Sequence, residues 1–135
     1  MLDHLKITEI DLRRDGNFDG CEHPSFYSFV AEKDSCIVGY SFSHFTYSTD
    51  VGKGLFLEEI YVKESFRQQG IGKKLFLENV KFAKAENCYR LEFHVLKWNH
   101  NAKKFYEKLN AENVTEKCGW ELYRLDHLQK AFLKD

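Results

Sequence analysis

Two glycines one residue apart, behind an arginine and a pair of glutamines, form the stretch Arg67-Gln68-Gln69-Gly70-Ile71-Gly72. It separates a β-patterned run ending at Val62 from a basic, amphipathic run beginning at Ile71. A helix start leaves backbone N–H groups without intrahelical partners, and the helix dipole favours negative charge there. Small residues at 70 and 72 let a phosphate group approach that backbone, and Arg67 adds a fixed charge suited to a pyrophosphate. Two known cradles are excluded. The dinucleotide fingerprint G-x-G-x-x-G needs glycine where Leu75 stands, and the P-loop G-x-x-x-x-G-K-[ST] needs glycine at Arg67 and a hydroxyl at Lys74. A bare G-x-G is also the mark of an ordinary glycine-rich helix start, so the spacing alone leaves both readings open.

Other chemistry-bearing side chains are the carboxylates Glu58 and Glu59 in "GLFLEEIYV" and the phenol Tyr106 in "KFYEKL". Adjacent strand residues point to opposite faces, so Glu58 and Glu59 are not expected to serve one site directly. On pattern alone both fit solvated carboxylates, and Tyr106 fits packing. Cys21, Cys36, Cys88 and Cys118 make no C-x-x-C pair, and the six histidines show no H-E-x-x-H or comparable spacing. No metal is expected. His23, His44, His94 and His127 read as structural or solvated.

These residues need elements to position them. "TEIDLRRDG" offers Thr8 as an N-cap and Gly16 as a stop for a short helix. "FYSFVAEK" and "CIVGYSFSHFTY" are rich in aromatic and β-branched residues, with "KDS" between them as a hairpin turn. "GLFLEEIYV" is a third strand, with Leu55, Leu57, Glu59 and Tyr61 expected on one face and Phe56, Glu58, Ile60 and Val62 on the other. The period then changes. Ile71, Leu75, Phe76, Val80, Phe82 and Ala83 share one side of a helix ending near Asn87, while Lys73, Lys74, Glu78, Lys81 and Lys84 share the other. "YRLEFHVL" is expected as a strand, "NHNAKKFYEKLN" as a short helix and "WELYRLD" as a last strand. The order predicts a mixed α/β sheet.

The 135 residues are enough for one domain with one core, expected over 1–135. With 20 basic and 21 acidic residues the net charge is -1, which gives no nucleic-acid footprint. No apolar run approaches a membrane span, and "MLDHLKITEI" lacks a signal peptide's apolar centre. A cytoplasmic protein without membrane or nucleic-acid partners is expected.

R-x-x-G-x-G after a strand exit resembles the coenzyme A signature of the GNAT-type N-acetyltransferases, and "W-N-x-x-A-x-x-F-Y-x-x-L" at 98–109 is similar to that superfamily's second recurring block. "ITEIDLRRDG", "EHP-x-FY", "IVG", "FTY-x-x-x-x-GK", "FRQQGIG", "FYEKLNA" and "GWELYRLD" further resemble the spermidine/spermine (diamine) acetyltransferases and their thialysine-acetylating relatives. The resemblance covers about residues 7 to 128. It implies a GNAT-like acyl-CoA N-acyltransferase fold that here lacks the usual N-terminal strand and helix, acetyl-CoA as co-substrate, and a homodimer. It implies Glu58 as the relay for the amine proton, Glu59 near the substrate's second charge, and Tyr106 as the acid protonating the leaving thiolate. Ile60, Tyr61 and Val62 are implied to act through a bulged, splayed backbone that frees amides for the acetyl carbonyl and pantetheine arm. Arg67, Gln68, Gln69, Gly70, Ile71, Gly72 and Lys73 would take the pyrophosphate. Asn99 would lie beside the pantetheine, and an N-cap role is compatible with that. Trp120 would line the amine pocket, although half-buried strand packing also fits its pattern.

The chemistry matches these types. An alkylamine arrives protonated, with a pKa of about 10.4, and must lose a proton before attacking a thioester. The expected activity is acetyl transfer to a primary amine of a small polyamine, diamine or amino acid. A truncated, non-catalytic CoA-binding domain and a protein lysine or N-terminal acetyltransferase are the competing readings. The resemblance places Lys117 and Cys118 where the diamine enzymes carry acids, with Glu22 and Glu59 as remaining carboxylates and Glu116 one residue out of the family's register. That exchange predicts disfavour for spermine and tolerance of an amino acid.

Overall fold

The structure is a computed structural model that describes residues 6–20 and 23–126. The chain divides into two compact units, Met1–His94 and Val95–Asp135, which are taken separately.

In the first unit, helix α1 (Glu9–Asp15) starts on a capping box: the Thr8 side chain accepts from the Asp11 N–H and the Asp11 carboxylate accepts from the Thr8 N–H. Strands β1 (Tyr27–Lys33), β2 (Cys36–Ser48) and β3 (Gly52–Val62) form an antiparallel meander. The β1–β2 turn places Asp34 and Ser35 at φ 51° and 62°, the left-handed pair that a two-residue hairpin requires. A 3-10 turn at Glu64–Phe66 leads to helix α2 (Ile71–Ala85). Asn87, at φ 58°, closes α2: its N–H donates to the Lys84 carbonyl, and the Cys88 N–H donates to the Ala83 carbonyl. The crossover ends in strand β4 (Leu91–Phe93), parallel to β3, giving a mixed four-stranded sheet of order β1-β2-β3-β4.

The core lies between α2 and one sheet face. Val38, Leu55 and Leu57 from the sheet and Leu75, Phe76 and Ala83 from α2 are all buried. Phe82 reaches Tyr27, Phe29 and Phe45 with ring centroids 4.9, 5.9 and 5.7 Å apart. One buried position escaped the sequence pattern. Asn79 lies on the apolar side of α2, fully buried, its Nδ2 donating to Ser41 Oγ and to the Leu75 carbonyl at 2.8 Å each.

Two expectations need correction here. The regular alternation along β3 breaks, because Phe42 pairs with Glu59 while Ser43 pairs with Leu57, leaving Glu58 as an extra, bulged residue. Beyond the bulge the faces exchange, so Leu55 and Leu57 share the α2 face with Ile60 and Val62 rather than with Glu59 and Tyr61. The strand expected from "YRLEFHVL" is also limited to Leu91–Phe93.

In the second unit, helix α3 (His100–Glu107) is capped by Asn99, whose Oδ1 accepts from the Ala102 N–H at 3.1 Å. The strand expected in "WELYRLD" does not form. Residues 119–126 have no regular structure, and Trp120, Leu122 and Tyr123 are 84%, 78% and 85% exposed. Alternating apolar residues make a strand only where a ladder partner satisfies the backbone, and among the described residues none pairs with this segment.

Candidate active site

The bulge brings the two carboxylates together. Glu59 Oε1 accepts from the Tyr40 hydroxyl at 3.3 Å, and Glu58 Oε2 lies 3.8 Å from His44 Nε2. Tyr40 and His44 are four residues apart on β2 and share the face opposite α2. Glu58 and Glu59 therefore present to one face, contrary to the expectation from unbroken alternation. Tyr40 stands among rings, its centroid 5.4 Å from Phe42 and 5.6 Å from Tyr61. Burial and the nearby Glu59 carboxylate push its phenol above the ordinary range.

The same strand opens on its other side. β4 pairs with β3 only from Leu55↔Leu91 to Leu57↔Phe93, while β3 runs on to Val62. The Lys63 N–H donates to the Val38 carbonyl, so alternation turns the backbone of Glu59 and Tyr61 toward β2 and that of Ile60 and Val62 to the opened edge. The Val62 carbonyl fits this, since it accepts from Arg67 Nε at 2.8 Å. Of the three residues 60–62, Ile60 and Val62 thus face the gap through their backbone, whereas Tyr61 contributes a ring 5.7 Å from the Arg67 guanidinium.

From Arg67 the chain enters the cradle. Gln68 and Gly70 both take left-handed conformations, at φ 60° and 80°, with Gln69 between them. For Gln68 this costs about 1–2 kcal/mol relative to a right-handed conformation, a local strain of the kind kept at binding sites. Gly70 is the N-cap of α2 and makes no side-chain cap, so the N–H groups of Ile71, Gly72 and Lys73 precede the first helical bond, from the Lys74 N–H to the Gly70 carbonyl at 3.0 Å. A methyl group built on Gly70 meets nothing within 4 Å, and one on Gly72 meets only a Val62 methyl at 3.9 Å. The chain's own packing does not require glycine at 72, and the missing side chain leaves the backbone open to a ligand. Lys33 Nζ fixes Gln69 by donating to its Oε1 at 3.0 Å, and exposed Lys73 adds charge at the first turn. Donors, left-handed turns and room for a phosphate at the backbone together fit coenzyme A.

Asn99, Tyr106 and Trp120 belong to residues 95–135. Tyr106 lies on α3 against Phe105, ring centroids 5.0 Å apart, and burial holds its phenol above the ordinary range. Trp120 is on the irregular, exposed segment described above. Glu22, Cys21 and His127 lie outside the described residues. Among the described residues no cluster of His, Cys, Asp or Glu could hold a metal ion, and no helix is long and apolar enough to cross a membrane.

The sequence profile of the Acetyltransferase (GNAT) family matches residues 4–111. The chain belongs to that family. Among similar proteins, this acetyltransferase is 39% identical to thialysine N-epsilon-acetyltransferase of Sus scrofa over 132 residues, 92% of this chain and 76% of the relative. It is 32% identical to spermidine/spermine N(1)-acetyltransferase-like protein 1 of Homo sapiens over 133 residues, 93% of this chain and 19% of that one. The fold is shared with an aminoglycoside acetyltransferase from an uncultured soil metagenomic sample, with a TM-score of 0.75 at 22% identity over 93% of this chain and 80% of the other. An aminoglycoside N-acetyltransferase in complex with CoA gives a TM-score of 0.68 at 23% identity over 78% and 79% of the two chains. The protein is an amine N-acetyltransferase with acetyl-CoA as co-substrate. The expected fold class, the co-substrate and the transferase activity are borne out.

Proposed function

We propose that the acetyltransferase acts on the primary amine of a small polyamine, diamine or amino acid, and that an amino acid with a side-chain amine is preferred. The observation carrying this is the bulge at Glu58, which gathers two carboxylates on one face beside the opened edge of β3. Acetyl-CoA supplies the acyl group as an activated thioester. Arg67 to Lys73 hold its pyrophosphate, the Ile60 and Val62 backbone holds its arm with Asn99 beside it, and Tyr61 supports Arg67. Glu58 relays the amine's proton, through water, and Glu59 takes the substrate's second positive group. Tyr106 gives a proton to the departing thiolate; burial keeps it neutral and able to donate. Trp120 offers an aromatic face to the amine.

The preference for an amino acid draws on Lys117. Its Nζ donates to Glu112 Oε1 at 2.7 Å, and that bond holds its pKa above the ordinary lysine value. A lysine where an acid would attract a distal ammonium suits a substrate carboxylate better than a third ammonium. Relatives named for thialysine, at 39% identity, and for L-ornithine in Arabidopsis thaliana, at 33% over 77% of this chain, support the same class. We further propose that residues 1–135 act as one cytoplasmic domain and that the enzyme is a homodimer. Strand β1 is at the sheet's edge, and beside it a groove of about 510 Å³ mixes apolar Val30, Val38 and Leu75 with charged Glu32, Lys33 and Lys74.

The test is thiol release from acetyl-CoA with thialysine, ornithine, putrescine, spermidine, spermine and a lysine peptide. The expected order places thialysine or ornithine first and spermine last by kcat/KM. Spermine as the best substrate, or activity confined to the peptide, refutes the assignment.

A further inference from the structure

We propose that His44 is the terminal acceptor of the amine proton, with Glu58 orienting the ammonium and stabilising the imidazolium; this rests on the amine reading of Glu58 above. The sequence pattern reads His44 as structural or solvated. Its ring lies on Phe56, its partner across the β2–β3 ladder, at a centroid distance of 5.3 Å and 30° between planes, and His94 holds Phe56 edge-on at 4.9 Å. The stack fixes the ring plane.

The ring's hydrogen bonding then fixes its tautomer. His44 Nδ1 is 3.3 Å from the Phe45 carbonyl oxygen. A carbonyl only accepts, so that contact needs the proton on Nδ1, and in the neutral ring the lone pair is left on Nε2. Nε2 faces Glu58 Oε2 across 3.8 Å. Two acceptors opposed at that distance make a site for a donor with more than one N–H, which an alkylammonium is.

Proton affinity favours the histidine over the carboxylate as final holder. Against an amine of about 10.4, an imidazole near 6.5 is about two units closer than a carboxylate near 4.3, so transfer to it is about a hundredfold less unfavourable. The proton count closes: the ammonium gives up two protons as the amide forms, one ends on the departing thiol, and the other passes from His44 to solvent. Among the described residues, other titratable groups on this face are Glu59 and Tyr61 of β3, Tyr40 of β2, His94 beyond Phe56, and Glu92 of β4, which pairs across from Phe56 and is bonded to Arg90, with Arg67 over Tyr61; β1 sends Ser28 and Val30 to it.

Two measurements decide the matter. With thialysine as substrate, His44→Gln should lower kcat/KM by about 10²-fold at neutral pH, remove the acid-side limb of the parent's pH profile, and leave acetyl-CoA affinity unchanged. Glu58→Gln should keep that limb but raise KM for the amine, since it removes the anion that orients the ammonium. A His44→Gln enzyme with the parent's limb overturns the proposal while leaving the acetyltransferase reading intact. A parent that acetylates no amine overturns both. Independently of any variant, the imidazole nitrogen shifts of His44 in the unliganded protein should report a neutral ring protonated on Nδ1; protonation on Nε2 overturns the proposal.

Discussion

At the residue scale, the proposed reaction assigns separate parts to a single charge and a single phenol. Arg67 has its Nε committed to the Val62 carbonyl, which leaves the other guanidinium nitrogens for the phosphate that the proposal gives it. Arg67→Glu should weaken acetyl-CoA at least about tenfold, because a charge-assisted bond contributes about 1.5–3 kcal/mol; calorimetric titration with acetyl-CoA is the check. Tyr106→Phe should leave that affinity unchanged and lower kcat by about 10²–10⁴-fold, the range for a positioned proton donor. Its phenol is raised by burial, so the neutral, donating form persists upward in pH. The parent's kcat should accordingly show no loss of this donor below about pH 10, the ordinary phenol value. A fall near neutrality that vanishes in Tyr106→Phe would contradict the burial argument.

At the scale of elements, the sequence was legible wherever local rules decide. Thr8 and Gly16 bounded α1, the change of period marked α2, and the lysines assigned to its solvent side are exposed. The bulge was legible only through resemblance. Nothing in "LEEIYV" announces an extra residue, because a bulge is a relation between two strands, here Phe42–Ser43 facing Leu57–Glu59. Without it Glu58 and Glu59 seemed to be divided between faces, and His44 had no visible partner. The last strand failed for a related reason: "WELYRLD" has the composition of a strand, but composition cannot supply a neighbour. Asn79 is a third case, a polar residue whose burial depends on Ser41, 38 positions away. Asn79→Ala strands the Ser41 hydroxyl and frees the Leu75 carbonyl, and should lower the unfolding free energy by about 1–3 kcal/mol. An unchanged urea midpoint would show that this bond contributes nothing.

At the scale of the whole molecule, β1 leaves one edge of the sheet for another chain to meet. Homodimerisation there predicts sedimentation as a dimer at micromolar concentration. Val30→Lys places charge on exposed apolar surface of that strand and should shift the protein toward monomer. A stable parent monomer would contradict the dimer. The early departure of β4 from β3 has a consequence for solvent. Past Leu57 the amides of Ile60 and Val62 border a strand in the middle of the sheet's order but face no ladder partner among the described residues. In deuterated buffer they should exchange fast, like a loop, while neighbouring Tyr61, directed toward β2, exchanges slowly. Acetyl-CoA should erase that alternation by lending Ile60 and Val62 the acceptors a fifth strand would have given. The bound arm would then register as missing deuterium at every second residue, with no turnover needed to see it.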